Sequence, residues 1–417
     1  MNLRLKYIHR YAGYVLIIVA LLASYSIGTW DTDLGDYAKQ INQLSNTGSL
    51  ISAGQLNNRY PPITSLIYFT AFKLLGFAGK GAAILLLHTL LTLLIQRGFE
   101  LLLKHFEYNA STILKKLATT IVIFNPYILS FIVRGVNSEL IFICCSLYAV
   151  WFALKKGNSN TNLLITGLLA GLVILTRMQG LALAISLLIL LTRRKLLPAT
   201  VFALAVVLTI TPWQYFNSKY GSGFIASGGL PSFRDGLSFN NKKYRQPIEL
   251  PDNVKVLSDS FYYIYYTLKE GEHIAPARDE VSFVKHYLAD EPKTAVELFW
   301  LKLRRSFYGT DSQNPKVEML NKLLIGITLL FFLISSGSLV RQNNQRYNTL
   351  LLFIFTYSVL TVGMSVMVLS ILRYQAPLLS FWLLVCFIAA QKLLERRHQR
   401  SILHKKHVPV PKALDHP

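Results

Sequence analysis

Three carboxylates and a cation follow the first long apolar run of the chain. Asp31, Asp33 and Asp36 lie close together in sequence, and Arg59 precedes Tyr60 a short distance further along. A carboxylate can take a proton from a hydroxyl or an amine. An arginine can hold two oxygens of a phosphate at once and stays charged. These residue types therefore suit deprotonation of a nucleophile beside a phosphate-bearing molecule.

Further charged residues stand at the ends of later apolar runs. Glu139 follows the hinge after Asn125-Pro126, and Arg177 lies between two short apolar runs. Arg373, next to Tyr374, precedes the last one. Each of these charges also has an explanation that involves no function. Loop carboxylates are usually solvated, and arginines at helix ends often reach the lipid headgroups. The helix dipole favours an acidic residue at the start of a helix. Whether they act together depends on the helices that position them.

The composition predicts a multi-pass membrane protein. The 417 residues are 52% hydrophobic and 15% charged, with a mean hydropathy of +0.39. The apolar runs are long enough to cross a hydrocarbon core of roughly 30 Å, which excludes a soluble globule. The cysteines Cys144, Cys145 and Cys386 lie inside apolar runs, so they indicate neither a disulfide framework nor a zinc site.

The loop charges predict the orientation. With a cytoplasmic N-terminus, the lysines and arginines of the short loops, among them Lys115, Lys116, Lys155 and Lys156, face the cytoplasm, as does the C-terminal tail. The net charge of +22 is thus explained without nucleic acid. We predict ten spanning helices, at residues 11–28, 81–103, 114–133, 138–154, 161–176, 179–192, 196–215, 322–340, 347–370 and 374–391. The first is read as an uncleaved anchor rather than a signal peptide.

Two segments depart from simple spanning. Residues 61–77 begin with two prolines and are predicted to form an interfacial or half-inserted helix, because a full span there would reverse every later loop. Residues 217–320 lack a spanning run and hold most of the acidic residues, with an amphipathic helix at 292–306. The organisation predicted is a module at 1–216 with its first outer loop at 29–80, an outer region at 217–321, helices at 322–391 and a basic tail at 392–417.

Short motifs in a fixed order carry a family resemblance. They resemble the GT-C superfamily of integral-membrane glycosyltransferases, most closely the branch with protein O-mannosyltransferases and the lipid A aminoarabinose transferase. The motifs are Asp33-x-x-x-Tyr37-Ala38, Tyr60-Pro61-Pro62, Asn125-Pro126 with Ser138-Glu139, Thr176-Arg177-x-x-Gly180, Pro212-Trp213 and Arg373-Tyr374-x-x-Pro377. The family often has Asp-Glu where this chain has Asp33-Leu34, and Thr-Arg-Pro where it has Thr176-Arg177-Met178.

The resemblance implies a fold and an activity. The fold is an all-α polytopic membrane protein of about ten transmembrane helices, GT-C-like, with a mixed periplasmic loop region. The activity is transfer of a sugar, with inversion, from a polyprenyl-phosphate-linked donor to a lipid, glycan or protein acceptor. It would occur at the outer face of a bacterial cytoplasmic membrane, with both termini in the cytoplasm.

The same resemblance assigns roles to the charged residues. Asp33 is the candidate general base and Asp36 its rival, while Glu139 would orient the acceptor or share that role. Arg59, Arg177 and Arg373 would hold the donor phosphate, with their neighbours Tyr60 and Tyr374. No obligatory metal is expected, because fixed arginines can stabilise a departing monophosphate ester. Mg²⁺ or Mn²⁺ stays an alternative, since the carboxylates supply enough oxygen ligands.

Two other classes of function stay open. A secondary transporter or flippase for lipid-linked sugars would also bury charge, but it should show inverted repeats and charges near the midplane. A polysaccharide polymerase or ligase would share the lipid-linked donor, with its arginines mainly in the large outer loop. His88 is treated as an ordinary core histidine with no predicted role.

Overall fold

The computed structural model describes residues 34–52, 55–56, 61–76, 79–106, 118–123, 125–132, 135–155, 159–193, 196–220, 292–309, 315–367 and 375–406. The predicted first span at 11–28, most of the predicted outer region and the end of the basic tail lie outside these ranges.

The described part of the chain is mainly helical. A short antiparallel ribbon joins β1 (Ile51–Ser52) to β2 (Gln55–Leu56), with Ile51 opposite Leu56. The first half of the chain contains α1 (Leu34–Thr47), α2 (Ile63–Leu75), α3 (Lys80–His105), α4 (Pro126–Ile132), α5 (Glu139–Leu154), α6 (Asn160–Thr176), α7 (Gly180–Thr192) and α8 (Leu196–Tyr220). The second half contains α9 (Pro292–Arg305), α10 (Pro315–Val340), α11 (Gln345–Met367) and α12 (Ala376–Lys406).

Among the described residues, five helices are long and apolar enough to cross a membrane: α3, α8, α10, α11 and α12. The prediction of ten spanning helices is therefore not confirmed. Helix α7, for example, has 13 residues, and at a rise of 1.5 Å per residue it reaches only about 20 Å. The predicted span at 114–133 is interrupted, because residues 118–123 and α4 form separate helical pieces on either side of Asn125.

The α2 helix is also short. Its 13 residues end at Gly76, which has a positive φ of 81°. With a length of about 20 Å it cannot cross a core of roughly 30 Å along its axis. It packs against α1, α3 and α6, and its residues Tyr68 and Phe72 are buried. Helix α2 therefore lies between the polar helix α1 and the apolar bundle, and it packs against both.

Helix α5 forms the centre of the bundle. It packs against α3, α6, α7 and α12, and most of its residues are buried. The neighbouring α6 approaches α8 through small residues: a Cβ at Gly167 would lie 2.5 Å from the Ala205 Cβ, and one at Gly171 would lie 2.5 Å from the Thr209 Cβ. This Gly-x-x-x-Gly spacing lets two membrane helices pack backbone to backbone.

A buried ion pair ties the amphipathic helix α9 to the C-terminal helices. Both Arg305 and Glu318 are buried, and the guanidinium donates to the two carboxylate oxygens at 3.0 and 3.3 Å. The Ser306 hydroxyl donates to the Ser365 hydroxyl of α11 at 3.2 Å. Burial also lowers the pKa of the Lys302 ammonium from 10.5 to about 7. Helix α9 is thus docked through polar groups, although the sequence predicted only an amphipathic surface helix.

Candidate active site

Two of the predicted site residues form an ion pair at the ends of two helices. Arg177 Nη1 donates to Glu139 Oε1 at 2.9 Å, with the side chains 11% and 2% exposed. Glu139 is the first residue of α5, where a negative charge interacts favourably with the helix dipole. Arg177 is the C-cap residue that follows α6, and its backbone is extended. The pairing keeps each charge compensated away from water.

A close turn between α6 and α7 fixes the backbone of Arg177. The Gly180 amide donates to the Arg177 carbonyl at 2.9 Å. A Cβ at Gly180 would lie 2.5 Å from the Ile174 nitrogen and 2.6 Å from the Val173 carbonyl carbon. Only glycine allows this approach, which explains the Arg-x-x-Gly spacing in structural terms.

A buried tyrosine and histidine lie beside this pair. The Tyr68 hydroxyl of α2 is 2.6 Å from His88 Nε2 of α3, and His88 Nδ1 is 2.8 Å from the Ile132 carbonyl oxygen. Glu139 and Tyr37 are both close enough to interact electrostatically with the Tyr68 hydroxyl. The sequence analysis gave His88 no role and did not single out Tyr68. The sequence did contain a sign of this pair, because Tyr68 and His88 are polar residues within apolar helices. Such residues in a membrane protein usually face the protein interior.

Helix α1 brings the end of the first-loop motif to the same place. Gln40 Oε1 accepts a hydrogen bond from the Ser65 hydroxyl of α2, and Tyr37 is buried one turn earlier. Asp36 precedes Tyr37 in the first turn of α1. The chain that follows Asp33 is therefore docked against α2, on the helix that carries Tyr68.

The described residues include only part of the predicted site. The structure brings Glu139 and Arg177 together and places the backbone of Asp36 in α1. Asp33, Arg59, Tyr60, Arg373 and Tyr374 lie outside the described residues, so their roles stay predictions. Of the described residues, no three His, Cys, Asp or Glu side chains are grouped as metal ligands; Asp31 and Asp33 lie outside the described residues.

The guanidinium of this pair is a group that can bind an anion. A guanidinium has five N–H donors in a rigid fork, so an arginine paired with a carboxylate can also bind phosphate oxygens. The partial exposure of Arg177 is consistent with access to such a ligand. Glu139 fixes the orientation of this fork.

The fold and the order of the motifs resemble those of GT-C membrane glycosyltransferases. The computed structure is similar to the archaeal oligosaccharyltransferase AglB from Archaeoglobus fulgidus, which was solved with an inhibitory peptide and a dolichol-phosphate. The TM-score is 0.51 at 12% identity, over 97% of this chain and 53% of that chain. This chain thus spans about half the length of AglB, and the likeness concerns the fold alone.

A sequence family and a second solved protein are also similar to this chain. The model of glycosyltransferase family 87 matches residues 59–248, somewhat less than half of the chain. ArnT from Cupriavidus metallidurans in the apo state is similar with a TM-score of 0.44, at 14% identity over 95% of this chain and 63% of that chain. The structure of ArnT bound to undecaprenyl phosphate gives a TM-score of 0.39, at 13% identity over 96% of this chain and 81% of that chain. No protein with a curated description matches the sequence. The predicted resemblance to GT-C membrane glycosyltransferases is confirmed.

Proposed function

We propose that this chain transfers a sugar, with inversion, from a polyprenyl-phosphate-linked donor to a lipid, glycan or protein acceptor at the outer face of a bacterial cytoplasmic membrane. The observation that carries the proposal is the ion pair between Glu139 and Arg177, near the place where α1 packs against α2. The dolichol-phosphate bound to the similarly folded AglB supports a lipid phosphate as the ligand.

The reaction is a single displacement. A nucleophilic oxygen or nitrogen of the acceptor bonds to the anomeric carbon from the face opposite the phosphate. The bond between that carbon and the phosphate oxygen breaks, and its electron pair leaves with the polyprenyl phosphate. The acceptor proton passes to the carboxylate of Asp33, with Asp36 as the alternative base. One displacement gives inversion at the anomeric carbon.

The cations stabilise the charge that grows on the departing phosphate. Arg177 is assigned to this role, with Arg59 and Arg373 and their neighbours Tyr60 and Tyr374. A hydrogen-bond donor that is already directed at the phosphate oxygens stabilises the transition state more than the ground state, because the negative charge on those oxygens grows during the reaction. Glu139 is assigned to orient the Arg177 fork rather than to serve as the principal base, because it already accepts from that guanidinium.

No obligatory metal is included in the proposal. Activity should therefore survive a chelator, and a loss restored by Mg²⁺ or Mn²⁺ would assign the carboxylates to a metal instead. Membrane lipids surround the helices, and both termini are proposed to lie in the cytoplasm.

A deletion strain tests the proposed function. Lipid-linked glycans and surface polymers are compared by mass spectrometry between strains that carry the parent gene, the Asp33→Asn variant or no gene. The proposal expects a polyprenyl-phosphate sugar to accumulate in the last two strains and one glycosylated product to disappear. The proposal would be contradicted if all three strains had identical lipid-linked and surface glycans while the parent and Asp33→Asn proteins were present in the membrane at equal levels.

A further inference from the structure

Hydrogen bonding defines the proton positions in the Tyr68–His88 pair. A carbonyl oxygen can only accept, so His88 Nδ1 carries a proton and donates it to Ile132 at 2.8 Å. In the neutral ring Nε2 then accepts, and the Tyr68 hydroxyl donates to it at 2.6 Å. Both side chains are fully buried. The pair therefore connects α2, α3 and the end of α4 through directed bonds.

The same hydroxyl also holds the segment that leads to Glu139. The Tyr68 oxygen accepts the Asn137 amide at 3.4 Å. The Asn137 side chain donates to the Phe131 and Gly135 carbonyls at 2.9 Å each, and its oxygen accepts the Leu140 amide at 3.4 Å. Each of these contacts fixes the turn between α4 and α5.

The N-cap residue of α5 does not hold the start of this helix through its side chain. Ser138 stands at the N-cap position, but its side chain makes no capping bond. The Asn137 side chain receives the Leu140 amide instead, and Tyr68 receives the Asn137 amide. The position of Glu139, the first residue of α5, consequently depends on Tyr68 and, through it, on His88.

We propose that Tyr68 and His88 are positioning residues for the Glu139–Arg177 pair, and through it for the donor phosphate. The inference rests on the proposed function for its catalytic part. Tyr68 touches neither reacting atom; it holds the turn that places Glu139, and Glu139 orients Arg177. Because a displacement of about 1 Å can lower a rate on the order of a hundredfold, loss of the Tyr68 hydroxyl should reduce turnover about 10- to 100-fold.

A double-mutant cycle on turnover separates positioning from general stability. The assay measures release of polyprenyl phosphate from the lipid-linked sugar fraction of a deletion strain, using the full chain in lipid nanodiscs. Tyr68→Phe should lower turnover in the parent but not in the Glu139→Gln background, because the residue acts through Glu139. Equal fold losses in both backgrounds would overturn the inference.

The histidine provides a second comparison. His88→Gln keeps an acceptor for the Tyr68 hydroxyl and a donor for the Ile132 carbonyl, whereas His88→Leu removes both. His88→Gln should retain most of the turnover that His88→Leu loses. Equal turnover in these two folded variants would contradict a role through hydrogen bonding. Tyr357→Phe is the matched control, since Tyr357 is equally buried but lies on α11.

A readout without substrate keeps the two proposals distinguishable. Melting temperatures of the four proteins of the Tyr68–Glu139 cycle should be non-additive, while those of a Tyr357–Glu139 cycle should add. If the melting cycle is coupled but no parent preparation transfers sugar, the proposed function fails and the positioning of Glu139 stands. Additive melting losses for Tyr68 and Glu139 would overturn the positioning claim whatever the activity.

Discussion

At the scale of single residues, the Glu139–Arg177 pair is proposed to combine charge compensation with phosphate binding. Burial of either charge alone would be strongly unfavourable, whereas the pair at 2.9 Å shares the penalty and holds the guanidinium in one orientation. A phosphate that approaches then meets an arginine whose side-chain freedom is already restricted. The cost of ordering that side chain is met on folding rather than on binding.

The base is tested by replacing the carboxylate with an amide of equal size. Asp33→Asn should give a folded protein in which sugar transfer falls on the order of 10²–10⁴-fold, because the amide cannot take the acceptor proton. Transfer is measured as the glycosylated product per amount of membrane-inserted protein. Asp36→Asn, at the alternative base, is measured beside it and should retain most of the transfer. Near-normal transfer by Asp33→Asn together with loss in Asp36→Asn would move the role to Asp36.

Of the predicted site residues, the structure brings Glu139 and Arg177 together, although the sequence did not predict their contact. Glu139 and Arg177 were predicted as site residues because they are charged and lie at the ends of apolar runs. Their pairing could not be predicted, since it depends on how α5 and α6 pack and on the turn at Gly180. Tyr68 and His88 were missed because single polar residues in apolar runs usually belong to an ordinary core.

At the scale of helices, close packing of α6 on α8 should be sensitive to one methyl group. Gly167→Ala is expected to destabilise the protein by about 1–3 kcal/mol, because its Cβ would overlap Ala205 and the Phe202 carbonyl. The measurement is the midpoint of unfolding in a denaturing detergent. Gly326→Ala in α10, where no atom lies within 4 Å, should be neutral or stabilising by up to about 1 kcal/mol. Equal effects would argue against the α6–α8 contact.

The docking of α9 should depend on its buried ion pair. Glu318→Gln leaves the Arg305 charge buried without its carboxylate and should cost about 3–5 kcal/mol. The exposed pair between Arg97 and Glu100 is the control, and Glu100→Gln should change stability little. Detergent unfolding and proteolysis near α9 report both effects. If the two substitutions were equally mild, α9 would not be held by this pair.

Helix positions followed from apolar periodicity, whereas helix interruptions did not. The predicted spans at 81–103 and 196–215 lie within α3 and α8. The span predicted at 114–133 is divided because the chain leaves the helix around Asn125 before Pro126, a residue that disfavours helix in its predecessor. Apolar composition continues across that break, so hydropathy alone could not reveal it.

At the scale of the whole molecule, the orientation depends on the loop charges. Reporter fusions after Gly157 and after Arg194 should report cytoplasm, whereas fusions near Asp33 and Asn253 should report the outside. Each fusion is tested with a reporter active only in the cytoplasm and with one active only outside. An external signal at Gly157 would mean that residues 61–77 span the membrane fully, and the proposed outer site would no longer lie on one face.

The overall class was predictable because composition, loop charge and motif order all reflect the membrane. The bounds of the short helices α5, α6 and α7 agree within one residue with the predicted ranges 138–154, 161–176 and 179–192. The prediction that each of them spans the membrane is not confirmed, because all three are shorter than the candidate spans among the described residues. The site lies where these short helices end, beside α2, so whole-molecule packing rather than any local motif completes it.

Binding of undecaprenyl phosphate to the purified full chain in nanodiscs tests the central claim most directly. Arg177→Ala should weaken binding by roughly ten- to a hundredfold, equivalent to about 1.5–3 kcal/mol, and Arg177→Lys should recover only part because it lacks the planar fork. Arg341→Ala, an exposed cation after α10, should bind as the parent does. The Arg177→Ala/Glu139→Gln double variant removes the uncompensated carboxylate and should bind as weakly as Arg177→Ala. Parent-like affinity in both Arg177→Ala and this double variant would contradict the account.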